Sequence, residues 1–171
     1  MRHQGLLLKS MVMGLIVSLV GLCGVIARPM LEKPFEGFEV VKTDEFEGVI
    51  IARERAKDFM KAYSNVEEKE TWTPSKEDVI KLEERIETYL KKAAAKNSPQ
   101  LWSKLAPYKR QYVGITRNNR RLIFANYFCN AFDVDWKTTA VAVLDGGDCF
   151  FTVVYDVARA AFSDLQINGE A

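Results

Sequence analysis

The sequence predicts an α+β domain in which two or three N-terminal helices pack on a four- to five-stranded antiparallel meander sheet. Apolar residues recur at helical spacing between residues 49 and 93, and runs rich in β-branched and aromatic residues follow Tyr108. Mostly short, turn-rich connections separate those runs. Because the helices come first and the strands follow, we expect the helices to cover one face of a curved sheet.

The first predicted helix spans Val49 to Tyr63, where apolar residues lie on one side and charged residues on the rest of the circumference. The preceding segment, residues 28–48, contains two prolines and two glycines and shows no lasting period. We interpret it as a flexible lead with one short strand at Phe38–Val41. The single folded domain is then expected over residues 49–171.

The second predicted helix has the clearest signals in the chain. Pro74 and Ser75 suit its start, and the acidic Glu77 and Asp78 favour its dipole. Its apolar residues trace a single stripe: Val79, Leu82, Ile86, Tyr89, Leu90 and Ala93. A further short helical turn is expected from Pro99 to Leu105.

Five predicted strands follow, joined by short connections that favour antiparallel neighbours. They are Tyr108–Thr116, Arg121–Cys129, Thr138–Leu144, Cys149–Asp156 and Ala161–Ile167. Only the connection 130–137 is long. The second strand is apolar on both sides of its pleat, so either both faces of the sheet are covered or one keeps an apolar surface for a ligand. We favour the covered core.

The first 27 residues predict an export signal. Arg2 and Lys9 precede an apolar run over residues 11–26, which is shorter than a membrane-spanning helix requires. Small residues at Val25 and Ala27 predict cleavage before Arg28, which leaves about 144 residues. Two alternatives stay open: the segment remains as a membrane anchor, or a lipid is attached to Cys23, although Leu22 is large for a lipidation site.

Charge and histidine content exclude several classes of function. Cleavage removes two of the 24 basic residues and none of the 23 acidic ones, so the mature charge is about −1 and nucleic-acid binding is not expected. It also removes His3, the one histidine in the chain. Catalysis by Ser-His or Cys-His pairs and histidine-ligated zinc are therefore excluded for the mature protein, and no cofactor is implied.

The mature chain keeps two cysteines, Cys129 and Cys149. Export favours a disulfide between them. A strict meander opposes it, because the predicted strand Thr138–Leu144 would lie between the two and separate their sulfurs by about 20 Å. The sequence leaves both states open and favours two separate buried thiols.

Three motifs carry a resemblance to a family of small exported bacterial proteins of unknown function. They are YKRQYVGI at 108–115, DGGDCFF at 145–151 and INGEA at 167–171. The resemblance implies a bacterial origin and export, and it supplies no activity or site residue. The order of helices and strands is also similar to cystatin-like folds in outline.

Two groups of charged residues are candidate sites. Asp133, Asp135, Asp145 and Asp148 would bind calcium only if their loops met, and the motif Asp-Gly-Gly-Asp is first of all a turn, so no metal site is expected. Basic residues interleave with tyrosines around the first predicted hairpin. Three of these arginines and one tyrosine are candidates for contact with a protein partner or a small anionic ligand: Arg110, Tyr112, Arg120 and Arg121. A solvated hairpin face is the favoured alternative.

The expected function is that of a non-catalytic binding or inhibitory domain in the periplasm or the cell exterior. The missing histidine, and the absence of a nucleophile or phosphate-loop motif, favour this over an enzyme. The alternative is a hydrolase that uses carboxylates of the Asp-rich loops.

The signal segment gives the first testable prediction. N-terminal sequencing of the exported protein should start at or near Arg28, because signal peptidase reads the small residues before it. An exported protein that begins at an intact Met1 would contradict it.

Overall fold

A computed structural model of the chain describes residues 36–63 and 70–169. These residues form seven strands of one sheet, two α-helices and two short 3-10 turns. The strands are β1 (Phe38–Lys42), β2 (Glu47–Ile51), β3 (Glu70–Trp72), β4 (Lys109–Arg117), β5 (Arg120–Phe128), β6 (Phe150–Asp156) and β7 (Ala161–Ile167). The helices are α1 (Arg53–Met60) and α2 (Lys76–Ala93), and the turns span Leu101–Lys104 and Gly147–Cys149. The predicted signal segment, 1–27, lies outside the described residues.

The strands are arranged in the order β1-β2-β4-β5-β6-β7. Neighbouring strands are antiparallel except β2 and β4, which run parallel. β3 pairs with the last residues of β4, on the edge that β2 occupies at the other end of the strand. From β4 to β7, strands that follow each other in the chain are also neighbours in the sheet.

The predicted fold class, with two or three helices before a four- to five-stranded sheet, is wrong. Two strands precede α1, and β3 lies between the helices. Val49, Ile50 and Ile51 form β2 rather than the start of a helix, and all three are buried. A continuous apolar run is typical of a strand that is covered on both faces, as this parallel strand is. β1 lies within segment 28–48, so the described part of that segment belongs to the sheet.

The second predicted helix is confirmed as α2. Ser75 is its N-cap: the Ser75 hydroxyl accepts from the Asp78 amide at 3.1 Å, and the Asp78 carboxylate accepts from the Ser75 amide at 3.4 Å. This reciprocal capping box satisfies two backbone donors at the helix start. The predicted stripe then packs on the sheet through Val79, Leu82, Ile86 and Leu90.

Both faces of the sheet are covered, which confirms the core interpretation of its aromatic residues. α2 lies on one face, against buried residues of the central strands, and α1 lies on the other. The α2 face includes Tyr112, Ile123, Ala125, Tyr127, Phe151 and Tyr155. The α1 face includes Val113, Ile115, Leu122, Phe124 and Val154. One exception is Phe132, whose side chain is largely exposed.

Residues 130–148, here called the roof loop, replace the predicted third strand. Residues 138–144 form no strand, because β4 and β6 already occupy both edges of β5. The loop instead folds back over the α1 face of the sheet, where Val141 packs with Phe128 and Phe150. Leu144, at the end of the expected strand, is 93% exposed.

Direct pairing of β5 with β6 also joins the two cysteines. Phe128 lies opposite Phe150, and the next residue, Cys129, donates its amide to the Cys149 carbonyl at 3.0 Å. Their Cα atoms are 5.1 Å apart and their sulfurs are bonded. The preference for two separate buried thiols is therefore wrong, because it depended on a strand that does not form. Cys129 is also exposed rather than buried.

The disulfide gives a prediction on stability. Replacing both cysteines with serine should lower the free energy of unfolding by about 3 kcal/mol, because the closed loop spans a 20-residue separation and restricts the unfolded chain. Guanidinium denaturation of the wild-type protein and the double variant measures the difference. Two titratable thiols at Cys129 and Cys149 in the denatured, unreduced protein would contradict the pairing itself.

Candidate functional site

The four residues predicted to contact a partner do not share one surface. Arg110 and Tyr112 lie near the start of β4, whereas Arg120 and Arg121 lie where the chain turns into β5. The strand from Arg110 to Arg117 is about 23 Å long at 3.3 Å per residue. Arg110 and Tyr112 are also buried, whereas Arg120 is half-buried and Arg121 is exposed, so the structure separates the set into two pairs with different surroundings.

Arg110 belongs to a buried polar network between α2 and the sheet. Its Nε lies 3.2 Å from Glu83 Oε2, and the two side chains are only 3% and 7% exposed. The hydroxyls of Tyr112 and Tyr127 donate to Glu83 Oε1 at 2.8 and 2.5 Å. Both terminal nitrogens of Arg110 donate to backbone carbonyls of the preceding loop. Each charge is therefore paired and hydrogen-bonded, as burial requires.

Burial raises the pKa of both Tyr112 and Tyr127 well above the ordinary value, and the adjacent Glu83 carboxylate adds to this. Both hydroxyls consequently stay protonated and remain donors. Glu83 was missed in the sequence, although it lies four residues after Val79 and three before Ile86, on the apolar stripe of α2. A charge on such a stripe is the signal that would have found this network.

A cleft of about 480 Å³ opens beside the network and bears on the hydrolase alternative. Asp44, Glu45, Glu83 and Glu87 line it. Glu83 already accepts from three donors, and Glu87 pairs with Lys91 at 2.7 Å. The two carboxylates on α2 are thus engaged within the fold, and none of the aspartates in the hydrolase hypothesis lines this cleft.

The Asp-rich loops also make contacts of their own. Asp135 accepts from the Lys137 amide and the Thr138 hydroxyl, which stabilises a local turn. Asp148 pairs with Lys104 at 3.2 Å. Among residues 36–63 and 70–169, no group of three or more His, Cys, Asp or Glu side chains is placed to hold a metal ion.

Arg120 and Arg121 contact the protein itself. Arg120 pairs with Asp156 at 3.1 Å. The guanidinium of Arg121 lies 3.7 Å from the centre of the Trp72 ring, a cation–π contact. An anionic ligand would have to compete with these contacts. The partner contact at Arg110, Tyr112, Arg120 and Arg121 stays a prediction.

A cavity of about 370 Å³ lies on the other face of the sheet, beneath the roof loop. Its floor is formed by side chains of β5 and β6, including Phe124, Asn126 and Thr152, and Tyr63 beyond the end of α1 forms a wall. The Tyr63 ring meets the Phe124 ring edge-on at 4.9 Å. Residues 141–144 of the roof loop line its other side.

Side-chain amides of the sheet hold the roof loop in place. The Gln111 side chain donates to the carbonyls of Trp136 and Thr139 at 2.6 and 2.7 Å and accepts from the Val141 amide at 3.1 Å. The side-chain nitrogen of Asn126 donates to the backbone carbonyl of Val141 at 2.9 Å and to the side-chain oxygen of Gln111 at 3.0 Å. These two side-chain amides satisfy backbone groups of the loop, as hydrogen bonds between strands satisfy backbone groups in the sheet.

Two further side chains, Tyr63 and Asn168, hold backbone carbonyls of the loop between residues 141 and 145. The Tyr63 hydroxyl donates to the Val141 carbonyl at 3.1 Å. Asn168, just after β7, donates to the carbonyls of Val143 and Asp145 at 2.6 and 3.1 Å. The roof is thus attached to α1, to the central strands and to the end of the chain. No local sequence motif marks this cavity, because its lining comes from segments distant in the chain.

No protein-family model, curated protein or solved structure shows a significant match to this chain. No helix among the described residues is long and apolar enough to cross a membrane.

The buried network gives a prediction on stability. Glu83→Gln should lower the free energy of unfolding by about 3–5 kcal/mol, because it leaves the Arg110 charge buried without a counter-charge. Glu84→Gln is the matched control, since Glu84 is the exposed neighbour on α2, and it should change stability by less than about 0.5 kcal/mol. Chemical denaturation measures both. Equal stability of the two variants would show that the ion pair does not brace α2.

Proposed function

We propose that this chain is a non-catalytic binding domain of the periplasm or the cell exterior, and that the cavity beneath the roof loop holds its ligand. The observation that carries the proposal is the cavity itself. Its volume of about 370 Å³ lies within the range of small-molecule sites, and aromatic and aliphatic side chains dominate its lining together with a few polar groups.

The way the roof loop is held in place supports the proposal that the cavity binds a ligand. The disulfide closes the loop at its base, and side chains from three parts of the fold hold its backbone. A roof that is already in place costs little entropy to order when a ligand enters, which favours affinity. A disulfide on the surface also supports a location in an oxidising compartment.

The chemistry of the lining supports binding over catalysis. The described residues that line the cavity carry no charged side chain. Its one phenol is that of Tyr63, whose pKa burial raises above the ordinary value, so it stays protonated. Its hydroxyl already donates to the Val141 carbonyl. The lining can therefore hold and orient a molecule, and it offers no general base near neutral pH.

A fluorescent probe tests the proposal. N-phenyl-1-naphthylamine is neutral, and its emission rises in apolar surroundings, so titration into the exported protein should give a saturable increase. Thr152→Phe should weaken this binding by about tenfold or more, because the ring enters the cavity from its floor.

Ser163→Phe is the matched control, because it places the same ring on exposed β7, outside the cavity. It should bind the probe as the wild type does. Circular dichroism should show that all three proteins are folded. If Thr152→Phe and Ser163→Phe bind the probe equally, or if the wild type gives no saturable signal, the cavity is not the binding site.

A further inference from the structure

One acceptor in the lining of the cavity has no donor among the described residues. Asn126 is 3% exposed and lines the cavity. Both hydrogens of its amide nitrogen are used, for Gln111 and for Val141. Its carbonyl oxygen accepts no hydrogen bond from the described residues, whereas the neighbouring Gln111 amide uses all its donors and both lone pairs.

The orientation of the Asn126 amide follows from its partners. Both atoms that face its nitrogen are carbonyl oxygens, so a flipped amide would bring oxygen against oxygen. The carbonyl oxygen is thus turned away from Gln111 and Val141. No fully enclosed side-chain polar atom of the described residues lacks a partner, so this oxygen borders open space, and the cavity is the space that Asn126 lines. An acceptor at this border can be satisfied by a donor that enters the cavity.

The electrostatics of the lining restrict the ligand further. Thirteen described residues line the cavity, and their side chains are aliphatic, aromatic, hydroxyl or amide. A charged ligand would lose part of its hydration in this half-open cavity and gain no counter-charge from the described lining, which is unfavourable. A neutral ligand that brings one donor would satisfy the Asn126 oxygen and bury apolar surface against Phe124 and Phe150.

We propose that the cavity selects an uncharged, largely apolar molecule with a hydrogen-bond donor, such as an aromatic alcohol or amine in its neutral form, and that the Asn126 carbonyl oxygen accepts from that donor. This inference rests on the proposed function and names its ligand class. It also departs from the small anionic ligand that the basic residues of the sequence predict.

Three molecules with one skeleton test the selection. N-phenyl-1-naphthylamine is neutral and has one N–H donor, 8-anilinonaphthalene-1-sulfonate adds a negative charge to it, and 1-phenoxynaphthalene replaces the N–H with an ether oxygen. The first two are followed by their own fluorescence, and the ether by its displacement of the first. The exported protein and the Thr152→Phe variant are titrated with all three.

The sulfonate should bind about tenfold or more weakly than the neutral amine, because its charge would be buried without a partner. The ether should bind about 3- to 10-fold more weakly, the usual net effect of one hydrogen bond. Thr152→Phe should weaken every probe that occupies the cavity.

The failures are distinguishable. A sulfonate that binds as tightly as the amine, with both weakened by Thr152→Phe, would overturn the neutral class and leave the binding function standing. An ether that binds as tightly as the amine would overturn the role of the Asn126 oxygen. If the amine does not bind, or if Thr152→Phe leaves its binding unchanged, both the ligand class and the proposed function fall.

Discussion

The direct pairing of β5 with β6 is the constraint on which the rest of this structure depends. It places Phe128 opposite Phe150 and so brings Cys129 to Cys149. The chain between the two cysteines cannot enter the sheet beside β5, because β4 and β6 occupy both of its edges. It must lie over a face instead, where its backbone groups require partners other than a strand. The roof loop, the amides that hold it and the cavity below it all follow from that pairing.

The buried polar groups on the two faces of the sheet are satisfied in different ways. On the α2 face, the charges of Glu83 and Arg110 are paired with each other and surrounded by donors and acceptors. Removing either partner of such a network would leave a buried charge unpaired, so the network braces the helix on the sheet. Beneath the roof loop, on the α1 face, the buried side chains of Gln111 and Asn126 are neutral amides, and the Asn126 oxygen is without a described donor. The paired charges therefore brace the α2 face, whereas the α1 face beneath the roof loop keeps one acceptor without a described donor.

Sequence patterns located the elements that have a strong local signature. α2 could be predicted because a capping box and an apolar stripe mark it, and four of the five strand runs lie in the sheet as β4, β5, β6 and β7. β2 was missed because its apolar run continues without a break into the apolar positions of α1, so one helical period fitted both. Residues 138–144 have the composition of a strand, and only the pairing of β5 with β6, which is a long-range choice, excludes them from the sheet.

The candidate site could not be predicted from the sequence, because it too depends on contacts between segments that are distant in the chain. Its lining comes from the end of α1, from β5 and β6, and from the roof loop, and no spacing in the chain joins these segments. Arg110 and Tyr112 looked like surface residues because they stand in a run of polar and aromatic residues, yet their buried partner Glu83 lies on another element. Composition can show that a charge exists, whereas the fold decides whether it faces a ligand or a counter-ion.

A loop that is held by side chains and one disulfide differs in its consequences from a strand in the same place. A strand would share its backbone hydrogen bonds with its neighbours, so a change within it would disturb the sheet. The roof loop contacts the sheet through a few amides and a small apolar cluster around Phe128, so a change at its exposed residues leaves the backbone pairing of the strands in place. A rigid scaffold with a separately anchored loop is the arrangement on which binding sites are most often built. In this fold the roof loop can therefore change the shape and chemistry of the cavity at little cost to the stability of the sheet.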